Sequence, residues 1–265
     1  MELSTISRSD KGGAAESAAP HLSHSRLSKY LTCPEQYRLY YVEGLRPKVP
    51  AGTLVFGQSI HAALSHFFTT KEDPVAFFKG IWEQAKAIEL RYSQRDTWES
   101  LAKKGEAMLN RFVQDEVPRI QNVRTSEQPF ELSISNLDLP FVGVIDLIAD
   151  VDGKRTVIDF KTASQSYDDY EVVLSDQLSA YQLAEPEAEQ LALCVFVKTK
   201  EPQIEWHFAT RNGRQLQEFL AKAEIVVGAI ARGEFYKRPG KHCAWCDFLQ
   251  TCMASSESVR NYSVG

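Results

Sequence analysis

Hydrophobic and polar positions follow two different periods along this chain of 265 residues. In the first half, apolar residues recur at the three-and-four spacing of an amphipathic helix. This spacing predicts two short helices within residues 25–41, separated near Cys33 because Pro34 interrupts the pattern. It also predicts longer helices, over residues 54–68, 74–92 and 97–120.

From about residue 131 the apolar positions alternate or form short runs rich in β-branched residues, a pattern that favours strands. Five strands, two more helices and a final coil rich in glycine and cysteine are predicted. The strands cover residues 131–137, 141–150, 154–162, 191–198 and 204–210, the helices 172–184 and 214–232, and the coil 238–252. The predicted fold class is therefore α/β, a mixed central sheet flanked by helices, with an N-terminal helical lobe and a C-terminal cysteine-rich coil.

Composition restricts the classes of protein to which this chain can belong. Residues 1–21 are rich in serine, alanine and glycine, so we expect a disordered tail there and one domain over residues 22–265. No apolar run is long enough for a membrane span and no secretory signal is present, which predicts a cytoplasmic protein without a membrane partner. The net charge of −5 argues against a non-specific nucleic-acid coat protein.

The pair Asp152-Gly153 lies between two apolar runs, which predicts a two-residue β-hairpin turn. In that register Asp146 faces Asp159 with Cβ atoms about 5 Å apart, and Lys161 points to the same face. Two carboxylates that close in an apolar sheet require a proton or a cation between them. Mg²⁺ or Mn²⁺ suits such oxygen ligands, and a lysine beside it can stabilise charge developing on a phosphate. The ordinary alternative is a surface ion pair, which the apolar neighbours disfavour.

Three other polar residues give weaker signals when considered alone. His61 lies on the apolar face of the predicted helix 54–68, where a histidine is more often a satisfied core residue than a ligand. Gln177 and Tyr181 are one helical turn apart and share a face, and an ordinary position at the protein surface is the favoured explanation for them when they are considered alone.

The end of the chain carries a metal-site pattern, since Cys243, Cys246 and Cys252 are spaced C-x₂-C-x₅-C. Three thiols cannot all form disulfides with one another, and disulfides are uncommon in the cytosol. We therefore predict metal binding. The spacing leaves zinc and an iron–sulfur cluster equally open.

A tetrahedral site built on these three thiols needs a fourth ligand. Cys194 lies in an apolar strand and is expected to be an inert core residue. Cys33, beside a helix-breaking proline, is the favoured fourth ligand, and His24 and His242 are weaker candidates. A Cys33 ligand would connect the first helix to the last coil, so the site would matter for stability.

Together these segments resemble the RecB-like branch of the PD-(D/E)XK nuclease superfamily, and more narrowly its members with an iron–sulfur staple, the AddB-type nuclease domains and the CRISPR-adaptation nucleases. The resemblance rests on SRLSKYLTCPEQYRLYY, GQSIHAAL, GVIDLI with VIDFKT, QLSAY and HCAWCDFLQTC, in that order. It implies a restriction-endonuclease-like core, a helical insertion over about residues 70–125 and a cluster-binding segment over residues 234–253.

The resemblance also implies roles for single residues. His61, Asp146, Asp159 and the main-chain carbonyl of Phe160 would hold one or two Mg²⁺ or Mn²⁺ ions. Lys161 would assist the attacking water. The catalytic set would be Asp146, Asp159, Lys161, Gln177 and Tyr181, the last two positioning the lysine or the substrate strand.

The cysteines acquire a more definite role through the same resemblance. It implies that Cys33, Cys243, Cys246 and Cys252 hold a 4Fe–4S cluster, with zinc as the less favoured occupant. One position departs from the family pattern, because Ser65 stands where many relatives carry a glutamate. This departure leaves the number of metal ions open.

The sequence therefore predicts a metal-dependent DNA nuclease, an exonuclease on single-stranded DNA or frayed ends that acts in DNA repair, recombination or CRISPR adaptation. No helicase motor is encoded here, so a helicase or a CRISPR-adaptation protein could act as partner. Two alternatives are a non-catalytic DNA-binding subunit and a redox-sensing subunit of a larger complex. The first would keep the fold and the cluster without turnover, and in the second the state of the cluster would control partner binding.

Overall fold

The computed structural model describes residues 20–94, 96–134 and 137–254, so the predicted tail over residues 1–21 lies almost wholly outside the described residues. The predicted break in the first helical segment is confirmed. Cys33 is extended (φ −161°, ψ 111°), and Pro34 opens the next helix, where its missing N–H needs no partner. The helices before the sheet are α1 (His24–Thr32), α2 (Pro34–Tyr37), α3 (Gly52–Thr70), α4 (Pro74–Gln84) and α5 (Trp98–Arg111).

A five-stranded mixed sheet follows, in the order β1-β2-β3-β4-β5. Strands β3 and β4 are parallel, and the other neighbours are antiparallel. The strands are β1 (Ile120–Leu132), β2 (Phe141–Val151), β3 (Lys154–Ala163), β4 (Gln190–Val197) and β5 (Gln203–Ala209), and the later helices are α6 (Asp169–Val173), α7 (Asp176–Ala184), α8 (Gly213–Ala231) and α9 (Leu249–Ala254). The predicted fold class is confirmed.

Two layers of helices cover the two faces of this sheet. On one face Val157 and Leu193 pack with residues of α1, α7 and α8. On the other face Ile158, Phe160 and Cys194 pack with residues of α3, α4 and α5. Because β4 is covered on both sides, it is a nearly continuous apolar run, whereas β3 carries Asp159 and Lys161 among its apolar residues. In the described part of the chain, no helix is both long enough and apolar enough to cross a membrane.

The first strand is where the sequence-based prediction was wrong. A strand was predicted over residues 131–137, whereas β1 begins at Ile120 and ends at Leu132. It lies at the edge of the sheet, is largely polar, and its register shifts between Gln121 and Thr125. An edge strand with such an irregularity shows no clean alternation of apolar residues, so its pattern was missed.

Two smaller differences concern helices. The single helix predicted over residues 172–184 is two helices, because Ser175 interrupts the chain and caps α7 by accepting a hydrogen bond from the Leu178 N–H. The predicted cysteine-rich coil contains a 3₁₀ turn, Lys241–Trp245, and the short helix α9. Short helices of this kind carry too few apolar repeats to be recognised from periodicity.

The β2–β3 hairpin has the predicted register. Asp152 and Gly153 have φ values of 52° and 82°, which is the conformation of a type I′ turn. Pairing runs from Val151–Lys154 to Leu147–Ile158. Asp146 and Asp159 are therefore the next opposed positions, at the point where regular pairing of the two strands ends.

Burial of His24, at the start of α1, gives the fold a pH dependence that can be measured. Burial, with a smaller effect of the Lys161 charge, lowers the pKa of His24 from 6.5 to about 4. As the pH falls through 6.5 the unfolded chain takes up a proton and the folded chain does not, so stability is lost. The free energy of unfolding should therefore be about 2 kcal/mol lower at pH 5 than at pH 8.

The measurement is the free energy of unfolding from urea titrations at both pH values, for the wild type and for His24→Gln. The wild type should lose more stability than the variant over this interval, by the amount given above. An equal loss in both proteins would contradict the assignment.

Candidate active site

Four side chains form a ring closed by three hydrogen bonds and one ion pair, which we call the polar ring: Asp159, Lys161, Gln177 and Tyr181. Lys161 Nζ lies 2.7 Å from Asp159 Oδ2 and donates to Gln177 Oε1 at 2.8 Å. Gln177 Nε2 donates to the Tyr181 hydroxyl at 2.8 Å, and that hydroxyl lies 3.0 Å from Asp159 Oδ1. Each member therefore fixes the position of the next.

The polar ring joins two elements of the fold. Asp159 and Lys161 come from β3, while Gln177 and Tyr181 come from α7, where their spacing of four residues places both side chains toward the sheet. Tyr181 also reaches the main-chain oxygen of Val144 on β2, at 2.9 Å. Tyr181 is 2% exposed, so surface polarity does not explain this residue.

Asp146 and His61 lie beside the polar ring. Asp146 Oδ2 accepts a hydrogen bond from the Phe160 N–H at 2.8 Å and lies 3.4 Å from His61 Nδ1. The Asp146 carboxylate thus accepts a main-chain hydrogen bond from β3 at the point where regular pairing of β2 and β3 ends. The Phe160 side chain lies in the core, so only its main chain faces this group.

Burial and neighbouring charges shift the pKa values of the two ionisable groups Asp159 and Lys161 in the polar ring. Burial raises the pKa of Asp159, and the nearby Asp146 carboxylate adds to that rise. Burial alone would lower the pKa of Lys161, but the Asp159 carboxylate outweighs it and raises the pKa above its ordinary value. Lys161 is therefore an ammonium group at neutral pH. One ammonium cannot balance two carboxylates in so dry a place, so a further cation is favoured there.

His61 is similarly affected by its neighbours. Burial lowers the pKa of His61, but the hydrogen bond and the charge of Asp146 outweigh it, and the net pKa is raised. A neutral imidazole is the form that can bind a metal ion. Protons therefore compete with a metal at His61, and lowering the pH favours the proton.

An open cavity of about 920 Å³ gives access to this group. Its lining includes His61, Asp146 and Lys161, together with Glu127 of β1 and Thr162 of β3. Glu127 was not predicted from the sequence, because it lies in the polar edge strand whose pattern was missed. Burial raises the pKa of Glu127, and the Asp146 carboxylate adds to that rise. The cavity therefore carries an acidic group, Glu127, that the sequence patterns did not identify as a candidate.

The sequence model of the PD-(D/E)XK nuclease superfamily matches residues 21–253. This chain belongs to that superfamily. The match extends from the residues before α1 to the last cysteine, and so includes the whole sheet and the polar ring. The search of curated proteins gave no match.

Similarity to one solved structure supports the fold of this nuclease, and only the fold. A protein of Eubacterium rectale described as a "Putative exonuclease" has a TM-score of 0.55 at 15% identity, covering 85% of this chain and 86% of its own. The structure of a protein called SSO0001 has a TM-score of 0.47 at 14% identity, covering 92% of this chain and 91% of its own. The second score is too low to support an argument.

Nucleases of this superfamily generally use divalent metal ions, and the donor atoms of this nuclease suit such an ion. Asp159 Oδ2 is buried and accepts no well-aligned hydrogen bond, although Lys161 lies close to it. Carboxylate oxygens, an imidazole and a main-chain carbonyl are ligands that Mg²⁺ and Mn²⁺ accept. As they stand, however, no three His, Cys, Asp or Glu side chains among the described residues are grouped tightly enough to hold a metal ion.

The cysteine-rich segment folds back onto the first helices. The Glu35 N–H donates to the main-chain oxygen of Tyr236 at 3.1 Å, and the Tyr30 hydroxyl donates to that of Glu234 at 2.7 Å. Lys237 Nζ donates to the main-chain oxygen of Cys252 at 2.6 Å. These contacts bring the end of the chain to α1 and α2.

This folding brings Cys33, Cys246 and Cys252 within electrostatic influence of one another, and Cys243 within that of Cys246, although no three thiols of the described residues are grouped tightly enough to hold a metal ion. Burial raises the pKa of Cys246, and Cys243 and Cys33 add to the rise. Burial likewise raises the pKa of Cys252, with Cys33 and Cys246 among the further causes. Cys194 is fully buried in β4, away from this group, as the sequence indicates. Binding of an iron–sulfur cluster or zinc by these cysteines stays a prediction.

Proposed function

We propose that this protein is a Mg²⁺- or Mn²⁺-dependent deoxyribonuclease that hydrolyses phosphodiester bonds. More narrowly, we propose an exonuclease that prefers single-stranded DNA or frayed ends. The observation that supports this best is the polar ring, which holds a protonated lysine beside two carboxylates at an open cavity. A merely structural ion pair would need neither a second carboxylate nor this access.

The proposed metal ligands are His61, Asp146, Asp159 and the main-chain oxygen of Phe160. When bound, the divalent ion supplies Lewis-acid chemistry, polarising the phosphate and the water that attacks it. The protein itself fixes these ligands before substrate arrives. Asp146 is held by the Phe160 N–H, and Asp159 is held by Tyr181.

Lys161 donates hydrogen bonds and does not act as a base in this proposal, because its raised pKa keeps it charged. Its ammonium group can orient the attacking water and stabilise the negative charge that grows on the phosphate. Gln177 holds that ammonium group at 2.8 Å, and Tyr181 holds Gln177. Gln177 and Tyr181 are thus positioning residues.

The proposed preference for DNA ends draws support from the structurally similar protein described as a "Putative exonuclease". We place the enzyme in the cytoplasm, in DNA repair, recombination or CRISPR adaptation, where a helicase or an adaptation protein could act as its partner. The open cavity of about 920 Å³ beside Asp146 and Lys161 is the proposed entry for the strand.

We further propose that Cys33, Cys243, Cys246 and Cys252 hold a 4Fe–4S cluster. The support is that three of these thiols come from the end of the chain and the fourth from the break between α1 and α2. Soft thiolate ligands favour iron–sulfur clusters or zinc over Mg²⁺. The cluster would have a structural role, distinct from the hydrolytic site.

The experiment compares cleavage of linear and circular single-stranded DNA and of linear duplex DNA, by protein purified without oxygen, in Mg²⁺, in Mn²⁺ and in a chelator. We expect linear single strands labelled at one end to be degraded only with the metal, while the circles survive. Cut circles would instead indicate an endonuclease. If a folded, iron-containing protein left every substrate intact, the chain would be a binding or redox-sensing subunit.

Tyr181→Phe should lower the turnover rate about 10- to 100-fold, because Gln177 and Asp159 lose the hydroxyl that positions them. The apparent Michaelis constant should change little. Steady-state kinetics on single-stranded DNA give both values. Tyr170→Phe is the matched control, since that side chain is 73% exposed on α6 and should have no effect. Equal rates in both variants would remove Tyr181 from the positioning role.

A further inference from the structure

Glu127 is a carboxylate at the proposed metal site that the proposed mechanism does not use. It lines the same cavity as His61, Asp146 and Lys161. No hydrogen bond or ion pair connects it to another residue in the described part of the chain. A carboxylate placed at the mouth of an acidic cavity without a partner increases the repulsion among its neighbours. Glu127 is exposed, and a cation bound beside it and Asp146 would remove that repulsion.

The register of β1 and β2 places Glu127 directly across from Asp146. Ser126 pairs with Leu147 and Gln128 with Ile145, so the position between them is opposed by Asp146. Opposed side chains in antiparallel strands have Cβ atoms about 5 Å apart. The Ser126 hydroxyl also lies 3.4 Å from the main-chain oxygen of Asp146. Asp146 is thus flanked by Glu127 on β1 and by Asp159 on β3.

The main chain at Glu127 is in the left-handed region, with φ of 52°. A non-glycine residue there costs on the order of 1–3 kcal/mol, and such residues cluster at functional sites. Glycine or asparagine would relieve this cost, and neither occupies the position. Glutamate adds a carboxylate that reaches into the cavity.

We propose that Glu127 is a third acidic residue of the divalent metal site, supplying a carboxylate from β1 on the side of Asp146 away from Asp159. This inference rests on the proposed function, because it assigns one more ligand to the same ion. It predicts that the affinity for the ion depends on three strands, β1, β2 and β3. A divalent cation would also bring Glu127, Asp146, Asp159 and Lys161 close to charge balance.

The test measures Mn²⁺ binding to the full-length protein by electron paramagnetic resonance of the free ion, without DNA. Glu127→Gln should weaken binding about 10- to 100-fold relative to the wild type. Glu131→Gln is the matched control, since it makes the same change on the same strand and face, outside the cavity. It should bind within about twofold of the wild type.

Two further variants are needed. One distinguishes the effect of the Glu127 carboxylate from that of its backbone conformation, and the other tests the proposed metal site independently of Glu127. Glu127→Gly suits the left-handed conformation, so it should fold normally and still bind Mn²⁺ weakly. Asp159→Asn should lose binding altogether. If Asp159→Asn loses binding while both Glu127 variants bind as the wild type does, the role of Glu127 is wrong and the proposed function survives. If the wild type shows no Mn²⁺ site sensitive to Asp159→Asn, both fail.

Discussion

Asp159→Asn is expected to reduce metal-dependent DNA cleavage on the order of 10³-fold or more. The change removes one of the carboxylates proposed to hold the ion, and a metal ion supplies several kcal/mol of transition-state stabilisation. Asparagine keeps the shape of the side chain, so Tyr181 retains a partner. Because the amide also leaves the buried Lys161 ammonium without its nearest ion-pair partner, the stability of the metal-free protein is measured alongside the rate.

The measurement is the initial rate on end-labelled single-stranded DNA, accompanied by thermal unfolding followed by circular dichroism. Asp152→Asn is the matched control on the same hairpin. It removes a surface ion pair with Arg119, worth about 1 kcal/mol or less, and asparagine suits the type I′ turn. Asp159→Asn protein that cleaved as fast as the control would eliminate the proposed active site.

Loss of a cluster ligand should have the largest effect on stability. Cys33→Ser is expected to remove the iron and its visible absorption, and to destabilise the protein by several kcal/mol, because a metal bound between α1 and the end of the chain closes nearly the whole polypeptide into one loop. Serine is close to cysteine in size, so little of the loss would come from packing at this buried position.

Iron, sulfide and zinc analysis of protein purified without oxygen checks this expectation, together with chemical unfolding. Cys194→Ala serves as control, since Cys194 is equally reduced but buried in β4. That variant should keep its metal and lose only about 1 kcal/mol from the small cavity. Zinc in the wild type would replace the cluster assignment, and Cys33→Ser protein with full iron content would remove Cys33 from the ligand set.

Local sequence was sufficient where short-range rules decide the structure. The Asp152-Gly153 turn requires two positive φ values, and that requirement sets the register of β2 and β3 as far as Leu147 and Ile158. The opposition of Asp146 and Asp159 follows from the same register. Pro34 likewise marks the break at Cys33, because proline cannot continue a helix from within.

Gln177 and Tyr181 show where local rules fail. Their spacing places them on one helix face, but no local rule says whether that face meets solvent or β3. The resemblance to a known family selected them, and packing of α7 on the sheet explains why Tyr181 is buried. A polar residue on a helix is uninformative until its partner on another element is known.

The sequence by itself determined the fold class, the hairpin that carries Asp146 and Asp159, and the cysteine spacing at the end of the chain. The tertiary structure alone decided that Gln177 and Tyr181 complete a ring with Lys161, that Glu127 lines the same cavity, and that the segment before the C-terminal cysteines folds back onto α1 and α2. The physical reason is the distance along the chain over which each kind of interaction acts. Turn chemistry and periodicity act over a few residues, whereas burial and electrostatic contact depend on which distant elements pack together.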